Sequence, residues 1–504
     1  MRSYATFFII AVMSLGLVFL LLTKDRPARL ACGGDAGMTD CVPAEEIVPE
    51  AADVGADGAA KPDGEAVAVT TEAGASKPAG APMRVTTLGW DLVAAGAALV
   101  PPDGTPTTPP MELAPEAALE AVEARLARGG ADPQGADIAV LPLPAFVTAF
   151  ERIRALEPRA FLVVGFSRGR EEVRSTPGAL LKAPPAGDEV KMVGYGPATS
   201  TDAAARAAGS ESATVLGIFA MDLLGVGTSR LRLVAPGPDA KAAPFAALVR
   251  GAADERKVAF STADASRLIP IVAIAPKGVI DAKENLLRDW SKAWLDGLVK
   301  AAKDTPAIAR RIAAKDSLPF ATGVGGAPEA IHLVERLGQI EAAGLDKQRV
   351  WIGPEAKGTI TLDVLTQKTW QLARAGGFTT SAAPEALPID PRVVMQIAPA
   401  APAPAPPPAD DPDGGAYGPG PAGATPLLAY RSAEGDTATV ASQMLFLSGV
   451  FERAIFRVSA KGGDKAAKAI AAAAREKGIP ANRLATAAAE PQGVAVSVEL
   501  LSPP

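Results

Sequence analysis

At 504 residues, 48% of them hydrophobic, the chain has room for two or three domains with real cores, which excludes a disordered protein. A formal charge of −6, with Lys and Arg scattered rather than clustered, excludes a surface built to track a phosphate backbone, and with it nucleic acid as a partner. A single histidine, His332, and two cysteines, Cys32 and Cys41, cannot assemble a His/Cys zinc site or a Cys–His nucleophile pair in a folded core, so neither metal nor cofactor is expected.

The chain opens on an uncharged apolar run of 17 residues, TFFIIAVMSLGLVFLLL at 6–22, at the short edge of what crosses a hydrocarbon core. One cation, Arg2, precedes it and no clean small-x-small site follows, so residues 1–23 read as an uncleaved signal anchor rather than a removed signal. Arg29-Leu30-Ala31-Cys32 has the outline of a lipoprotein cleavage box, with Arg where an aliphatic residue belongs. Lys24, Arg26 and Arg29 outnumber Arg2, and the positive-inside rule alone keeps the body cytoplasmic. Against that, Cys32 and Cys41 bracket a Gly-rich decapeptide that closes as a disulfide in an oxidising compartment, and the same two residues also fit free thiols. Export is the reading adopted: a single span in the cell inner membrane with the body in the periplasm.

From 24 to 82 the sequence runs to Ala, Gly, Glu, Asp, Pro and Thr, a composition that does not offset the entropy of ordering, and 396–426, with APAPAPPPADDPD, is an extended Pro/Ala-rich spacer. They isolate a body over 83–395 and a tail over 427–504. In the body, β-like runs alternate with amphipathic helices: RVTTLGW at 84–90, a helix at 116–130, DIAVLPLP at 137–144, AFLVVGFS at 160–167 and VKMVGY at 190–195. A helix from 212 to 224 follows, then RLRLVAP at 230–236, KVAFSTAD at 257–264 and IPIVAIAP at 269–276. Beyond these come helical patterns at 281–303, 327–344 and 361–375, with VWIG at 350–353 as a further strand. Alternation of this kind predicts an α/β fold with a largely parallel sheet.

In open α/β sheets ligands sit beyond the carboxyl ends of strands, which nominates Gly89, Trp90, Leu143, Pro144, Ser167, Arg168, Ser261 and Thr262. Gly209-Ser210-Glu211-Ser212 precedes an apolar helix, where glycine admits close backbone approach and free N–H groups seat an anion; capping alone also explains the serines. Trp90 suits either a ligand face or the core. Asp91, Asp137, Asp264 and Arg168 are the charged groups nearest these strand ends, and salt bridges or helix caps account for them more readily than acid–base chemistry. GFSRG at 165–169 invites a nucleophile-elbow reading, but no helix pattern with a partner histidine follows it. GVGGAP at 323–328 follows no strand and precedes no Lys-Ser/Thr pair, so it is a turn rather than a phosphate loop.

Four segments together, RVTTLGW, DIAVLPLPAF, GSESATVLGIFAMDLLGV and LVRGAADERKVAFSTAD, give the body a resemblance to the SsuA/THI5-like (NMT1-type) periplasmic solute-binding proteins of ABC importers. The resemblance implies a two-lobed periplasmic-binding-protein fold of type II, with lobe 1 over 84–165 and 275–395 and lobe 2 over 166–274. It also implies a small, anionic solute between the lobes, with Gly209, Ser210 and Ser212 as helix-start ligands, and an ABC permease as partner. This chain departs from the family in a loop at 196–208 and in lacking a clear second strand after RVTTLGW. THI5-like relatives that do chemistry use histidine and a cysteine cluster, which this body lacks, so binding without catalysis is expected.

The tail resembles an OmpA-like domain in its helix, strand, helix, GIPANRL turn and final strand. That resemblance implies peptidoglycan as a partner, although SAKGGDKAAKAIAAAAREKG stands where the family has its Thr-Asp pair and its Asn and Arg, with Arg475 out of register. The alternative is a non-transport scaffold joining membrane and cell wall through degenerate domains.

Overall fold

The computed structural model describes residues 30–31 and 42–43 and, from 82 to 504, all but 102–104, 106, 183, 185–186, 196–209, 316–317, 355, 357–359 and 401–416. The predicted anchor, Cys32, Cys41, Gly209 and most of both predicted linkers lie outside the described residues. Among the described residues no helix is long and apolar enough to cross a membrane. Near the amino terminus Leu30–Ala31 pairs antiparallel with Val42–Pro43.

The first sheet begins with β1 (Met83–Leu88), followed by α1 (Ala94–Leu99), β2 (Met111–Glu116), α2 (Leu119–Arg128), β3 (Ile138–Pro142), α3 (Leu143–Ala149) and β4 (Pro158–Ser167). Helix α2 forms because Leu119, Val122 and Leu126 recur on one face and are buried, and it stops at Gly129, whose φ of 72° suits glycine. The chain then crosses to a second sheet: β5 (Glu171–Ser175), β6 (Val190–Val193), α4 (Ser210–Leu223), β7 (Leu231–Val234), β8 (Phe245–Val249) and β9 (Lys257–Ser261). It crosses back into β10 (Pro270–Pro276), the long helix α5 (Lys277–Lys303), α6 (Thr305–Ala314), α7 (Ala330–Leu337), β11 (Ile340–Ala342), α8 (Gln348–Trp351), α9 (Leu362–Ala375) and α10 (Arg392–Ile397).

Strand order is β11-β4-β10-β3-β1-β2 in the first sheet and β9-β5-β8-β6-β7 in the second. Neither sheet is largely parallel as predicted. β10 runs antiparallel to both β3 and β4, and β5 antiparallel to both β8 and β9, because each is the strand by which the chain changes sheet. The expected gap after β1 is also corrected: β2 lies parallel to β1 over its full length, and its outer edge is hydrogen-bonded by Pro319 and Ala321 through Leu113. Val350 and Trp351 of VWIG are helical in α8, and Ile340–Ala342, inside the helix predicted over 327–344, is the edge strand against β4.

Helix α5 holds the first lobe together. Trp290 and Trp294 are fully buried, their rings 4.9 Å apart, and Phe161 of β4 lies 6.0 Å from Trp290. In the second lobe α4 sits close on the sheet because residue 217 is glycine: a Cβ there would come within 2.4 Å of Ala247 Cβ and 2.6 Å of Met192 Sδ.

The tail forms a third sheet, with β12 (Thr425–Ser432), α11 (Thr437–Val450), β13 (Ile455–Ala460), α12 (Gly463–Glu476), β14 (Leu484–Thr486) and β15 (Val496–Ser502) in the order β12-β15-β13-β14. Asp436 caps α11 by accepting from Thr439 N–H at 2.8 Å.

Candidate ligand cleft between the lobes

Strand direction fixes where the two lobes meet. β4 ends at Ser167 and β5 begins at Glu171, while β9 ends at Ser261 and β10 begins at Pro270, so two short crossings join the lobes. β1, β2, β3 and β4 point the same way, toward the crossings, and so do β6, β7, β8 and β9 in the other lobe. The carboxyl ends of both sets of strands therefore face the junction between the lobes, the position in which open α/β sheets hold ligands.

At the end of β1, Gly89 takes φ 108°, a conformation that glycine adopts without strain; its N–H donates to Glu116 O at 2.8 Å and its carbonyl accepts from Thr87 Oγ1 at 2.8 Å. This turn directs Asp91, which is wholly buried, at Arg170 of the first crossing, with Nη2 3.5 Å from Oδ1 and 3.4 Å from Oδ2. Next to Arg170, Glu171 is also wholly buried and accepts from the Ser167 hydroxyl and, at 3.2 Å, from the Thr262 hydroxyl. Thr262 Oγ1 in turn accepts from the N–H groups of Gly169, at 2.8 Å, and Arg170, at 3.1 Å. The two crossings are thus sewn together by one buried polar cluster. Burial pushes the Glu171 carboxyl above its usual range, and the Asp91 charge adds to that, against the opposing effects of Arg170, Ser167 and Thr262.

Three atoms of this cluster, Asp91 Oδ2, Arg170 Nη1 and Glu171 Oε1, are buried without a hydrogen-bond partner. The Asp91–Arg170 contact is also longer than the 2.7–2.9 Å or so typical of a charge-assisted hydrogen bond. Buried charge in this state is costly, so the cluster is unfinished from the standpoint of the protein alone.

The nominated residues divide between this cluster and other duties. Ser167 and Thr262 are in it, with their hydroxyls 3.2 Å apart. Ser261 shapes the second crossing instead: its N–H donates to Asp264 at 2.9 Å and its hydroxyl accepts from Ala263 N–H at 3.1 Å. Trp90 is 8% exposed, edge-on to Phe320 at 5.4 Å, with Lys315 Nζ 5.4 Å from its ring centre. Leu143 and Pro144 open α3, all of whose residues are buried. Ser210 and Ser212 are buried in the first turn of α4, and Ser212 Oγ has no hydrogen-bond partner. Of the charged groups weighed from the sequence, Asp91 alone joins the cluster. Asp137 bonds Lys283 at 2.6 Å, Asp264 caps the crossing, and Arg168 lies 3.6 Å from Glu341.

Sequence reasoning missed Arg170 and Glu171. Their signal was available: an Arg-Gly-Arg-Glu-Glu run directly after an apolar ten-residue strand is a poor loop composition unless the charges are spoken for. Ser167, the serine of GFSRG, has a carboxylate rather than an imidazole beside it, and His332 is exposed on α7. Among the described residues no group of three His, Cys, Asp or Glu side chains is placed to hold a metal ion.

No family model matches this sequence, and no curated protein matches it either. Solved structures do. The periplasmic aliphatic sulphonate-binding protein SsuA from Escherichia coli aligns at 11% identity over 60% of this chain and 89% of its own, with a TM-score of 0.40. The alkanesulfonate-binding protein SsuA from Xanthomonas axonopodis pv. citri, bound to MOPS, aligns at 11% identity over 64% and 99%, with a TM-score of 0.38. The desulfurization enzyme DSZB aligns at 12% over 62% and 98%, with a TM-score of 0.35. Scores at this level leave the assignment to this chain's own topology. Two mixed α/β sheets joined by two crossings, with carboxyl ends opposed, make residues 83–398 a two-lobed protein of the periplasmic-binding-protein fold class.

Proposed function

We propose that the body is a solute-binding protein that holds a small anionic solute between its lobes and closes on it by rotation about the two crossings. The observation that carries this reading is the unfinished Asp91–Arg170–Glu171 cluster at the junction of the opposed strand ends. A sulfonate or carboxylate would take Arg170 Nη1, and a hydroxyl or amine on the same solute would satisfy Asp91 Oδ2 or Glu171 Oε1. The Ser212 hydroxyl at the start of α4 would supply a donor from the second lobe. Within this reading the body lies in the periplasm behind an amino-terminal anchor, delivers its solute to an ABC permease, and does no chemistry on it. The tail would add an OmpA-like contact to peptidoglycan.

A scaffold is the second reading, favoured by one observation: α3 is buried along its whole length, with Phe146 and Phe150 6.0 Å apart and Phe150 5.2 Å from Trp370 of α9. A junction filled in this way by aromatic packing would need no solute.

Titration calorimetry of the full chain with taurine, methanesulfonate and nitrate separates them. Saturable binding that weakens about tenfold in Ser212→Ala, with the unfolding midpoint unmoved, supports the receptor. Binding indifferent to both Ser212→Ala and Arg170→Met puts the solute elsewhere and defeats the assignment; no binding at all supports the scaffold.

A further inference from the structure

The tail is not free of the body. It is packed on the second crossing, the segment whose backbone would have to turn if the lobes moved. Phe451, at the end of α11, is fully buried between lobe 2 residues, stacked on Phe219 of α4 with ring centres 6.3 Å apart and an interplanar angle of 20°, and 6.2 Å from Phe260 of β9. Arg431 of β12 reaches the Leu181 carbonyl, also in lobe 2, at 3.4 Å. The crossing itself supplies the remaining contacts. Arg267 N–H donates to Val450 O at 3.2 Å, so a residue of the crossing caps the carboxyl end of a tail helix. The Ser266 hydroxyl donates to Glu452 at 3.3 Å.

The Arg267 side chain then ties three bodies at one point. Its Nη2 lies 2.6 Å from Glu341 of β11 in lobe 1 and 3.0 Å from Glu452 of the tail, and its guanidinium lies 4.8 Å from the ring centre of Phe166 of β4. Only 12% of the side chain is exposed, so the pairs are weakly screened. Changing the lobe angle alters φ and ψ in the crossing, and every such change acts on the Arg267 N–H, the Ser266 hydroxyl or the shared guanidinium.

We propose that the tail domain is a clamp on the hinge: docked through Phe451, Glu452 and Val450, it holds the second crossing in one conformation, and its release allows the lobes to change their angle. Lobe closure and whatever engages the tail are then linked reciprocally, each altering the free energy of the other. This inference does not rest on solute binding, and its test uses none.

The test takes the full chain with Cys32→Ser and Cys41→Ser as the labelling background, and spin labels at the exposed positions of Glu120→Cys in lobe 1 and Lys191→Cys in lobe 2. The interlobe distance distribution is compared between this chain and the Phe451→Ala/Glu452→Gln double variant, with Glu499→Gln, at a tail ion pair on Arg457, as the control. Hydrogen exchange at the Arg267 amide is followed in the same proteins. The clamp predicts one narrow distribution in the parent and control. In the double variant it predicts a broadened or second population and exchange at Arg267 at least about tenfold faster, the change that loss of one charged hydrogen bond produces. An unchanged distribution overturns the proposal. With the tail detached, it means that the hinge does not need it; with the tail still attached, it means that Phe451 and Glu452 are not what holds it.

Discussion

Replacing Arg170 by methionine keeps a long side chain in the first crossing and removes the only cation that contacts Asp91 among the described ion pairs. Asp91 and Glu171 are 0% exposed and Arg170 is 2% exposed, so neither carboxylate can recover its hydration without opening the junction. Removing one partner of a buried pair costs about 3–5 kcal/mol, a large fraction of the roughly 5–15 kcal/mol that holds a domain folded. Guanidinium unfolding at neutral pH reads this as a lower midpoint with an unchanged slope. The double variant Asp91→Asn/Arg170→Met removes both charges and is predicted to recover at least about 1 kcal/mol of the loss, the coupling expected of residues in contact. The deficit also carries a pH sign. Burial raises Glu171 above its usual value of 4.5, and loss of Arg170 removes the charge that opposes the rise. Above that value the folded protein then binds more protons than the unfolded chain, so the deficit shrinks as pH falls toward 4.5. A variant as stable as the parent, or a deficit flat in pH, would refute this account of the hinge.

Other consequences are simpler to measure. Glu171→Gln retains the shape and removes a carboxyl that burial disfavours, so it raises the unfolding midpoint at alkaline pH and flattens the parent's loss of stability as pH rises above 4.5; a midpoint that falls at alkaline pH contradicts it. Gly217→Ala forces a methyl group against Ala247 and Met192, costing about 1–3 kcal/mol in chemical denaturation, and a neutral result would mean that α4 is less tightly seated than described. Glu341 has the opposite sign from Glu171. Burial alone would raise it, but the hydrogen bond and charge of Arg267, with Arg168 and Lys347, hold its carboxyl below the usual range. Its contribution to the Arg267 pairing is present above 4.5 and fades as pH falls through the lower folded value, so acid loosens the hold of lobe 1 on the second crossing. Acid sensitivity of the unfolding midpoint that is the same in Glu341→Gln as in the parent would count against it.

Strands with strong β-branched or two-sided apolar character were legible from sequence, and each one described falls within two residues of its pattern: Met83–Leu88, Ile138–Pro142, Pro158–Ser167 and Pro270–Pro276. What escaped was placed by tertiary structure rather than local preference. Met111–Glu116 has only Met111 and Leu113 as large apolar residues and is a strand because β1 and the Phe320 segment flank it. Glu171–Ser175 is charged and buried, and Phe245–Val249 has two alanines in five residues, so neither offers the alternation that marks a strand. The mixed direction of both sheets follows from the two crossings, a long-range fact that no window of sequence contains. At the junction, the rule that ligands meet strand ends named Ser167 and Thr262, which lie in the buried cluster, and it passed over Arg170 and Glu171 because charged side chains ordinarily face water. The docked tail was illegible for a different reason: Phe451 and Arg267 lie far apart in sequence, and only the fold brings their segments together.

On the proposed function, the two lobes hold a solute between them. Thermal unfolding of the full chain against taurine, alkanesulfonates, nitrate and amino acids tests it most directly, because a ligand that binds only the folded state stabilises it by mass action, by about 2.7 kcal/mol at a hundred times its Kd. The account predicts a saturable rise of roughly 5 °C for at least one anionic compound, reduced by Ser212→Ala and by Arg170→Met. A folded chain whose midpoint moves for none of them would contradict it and leave the scaffold as the function of this fold.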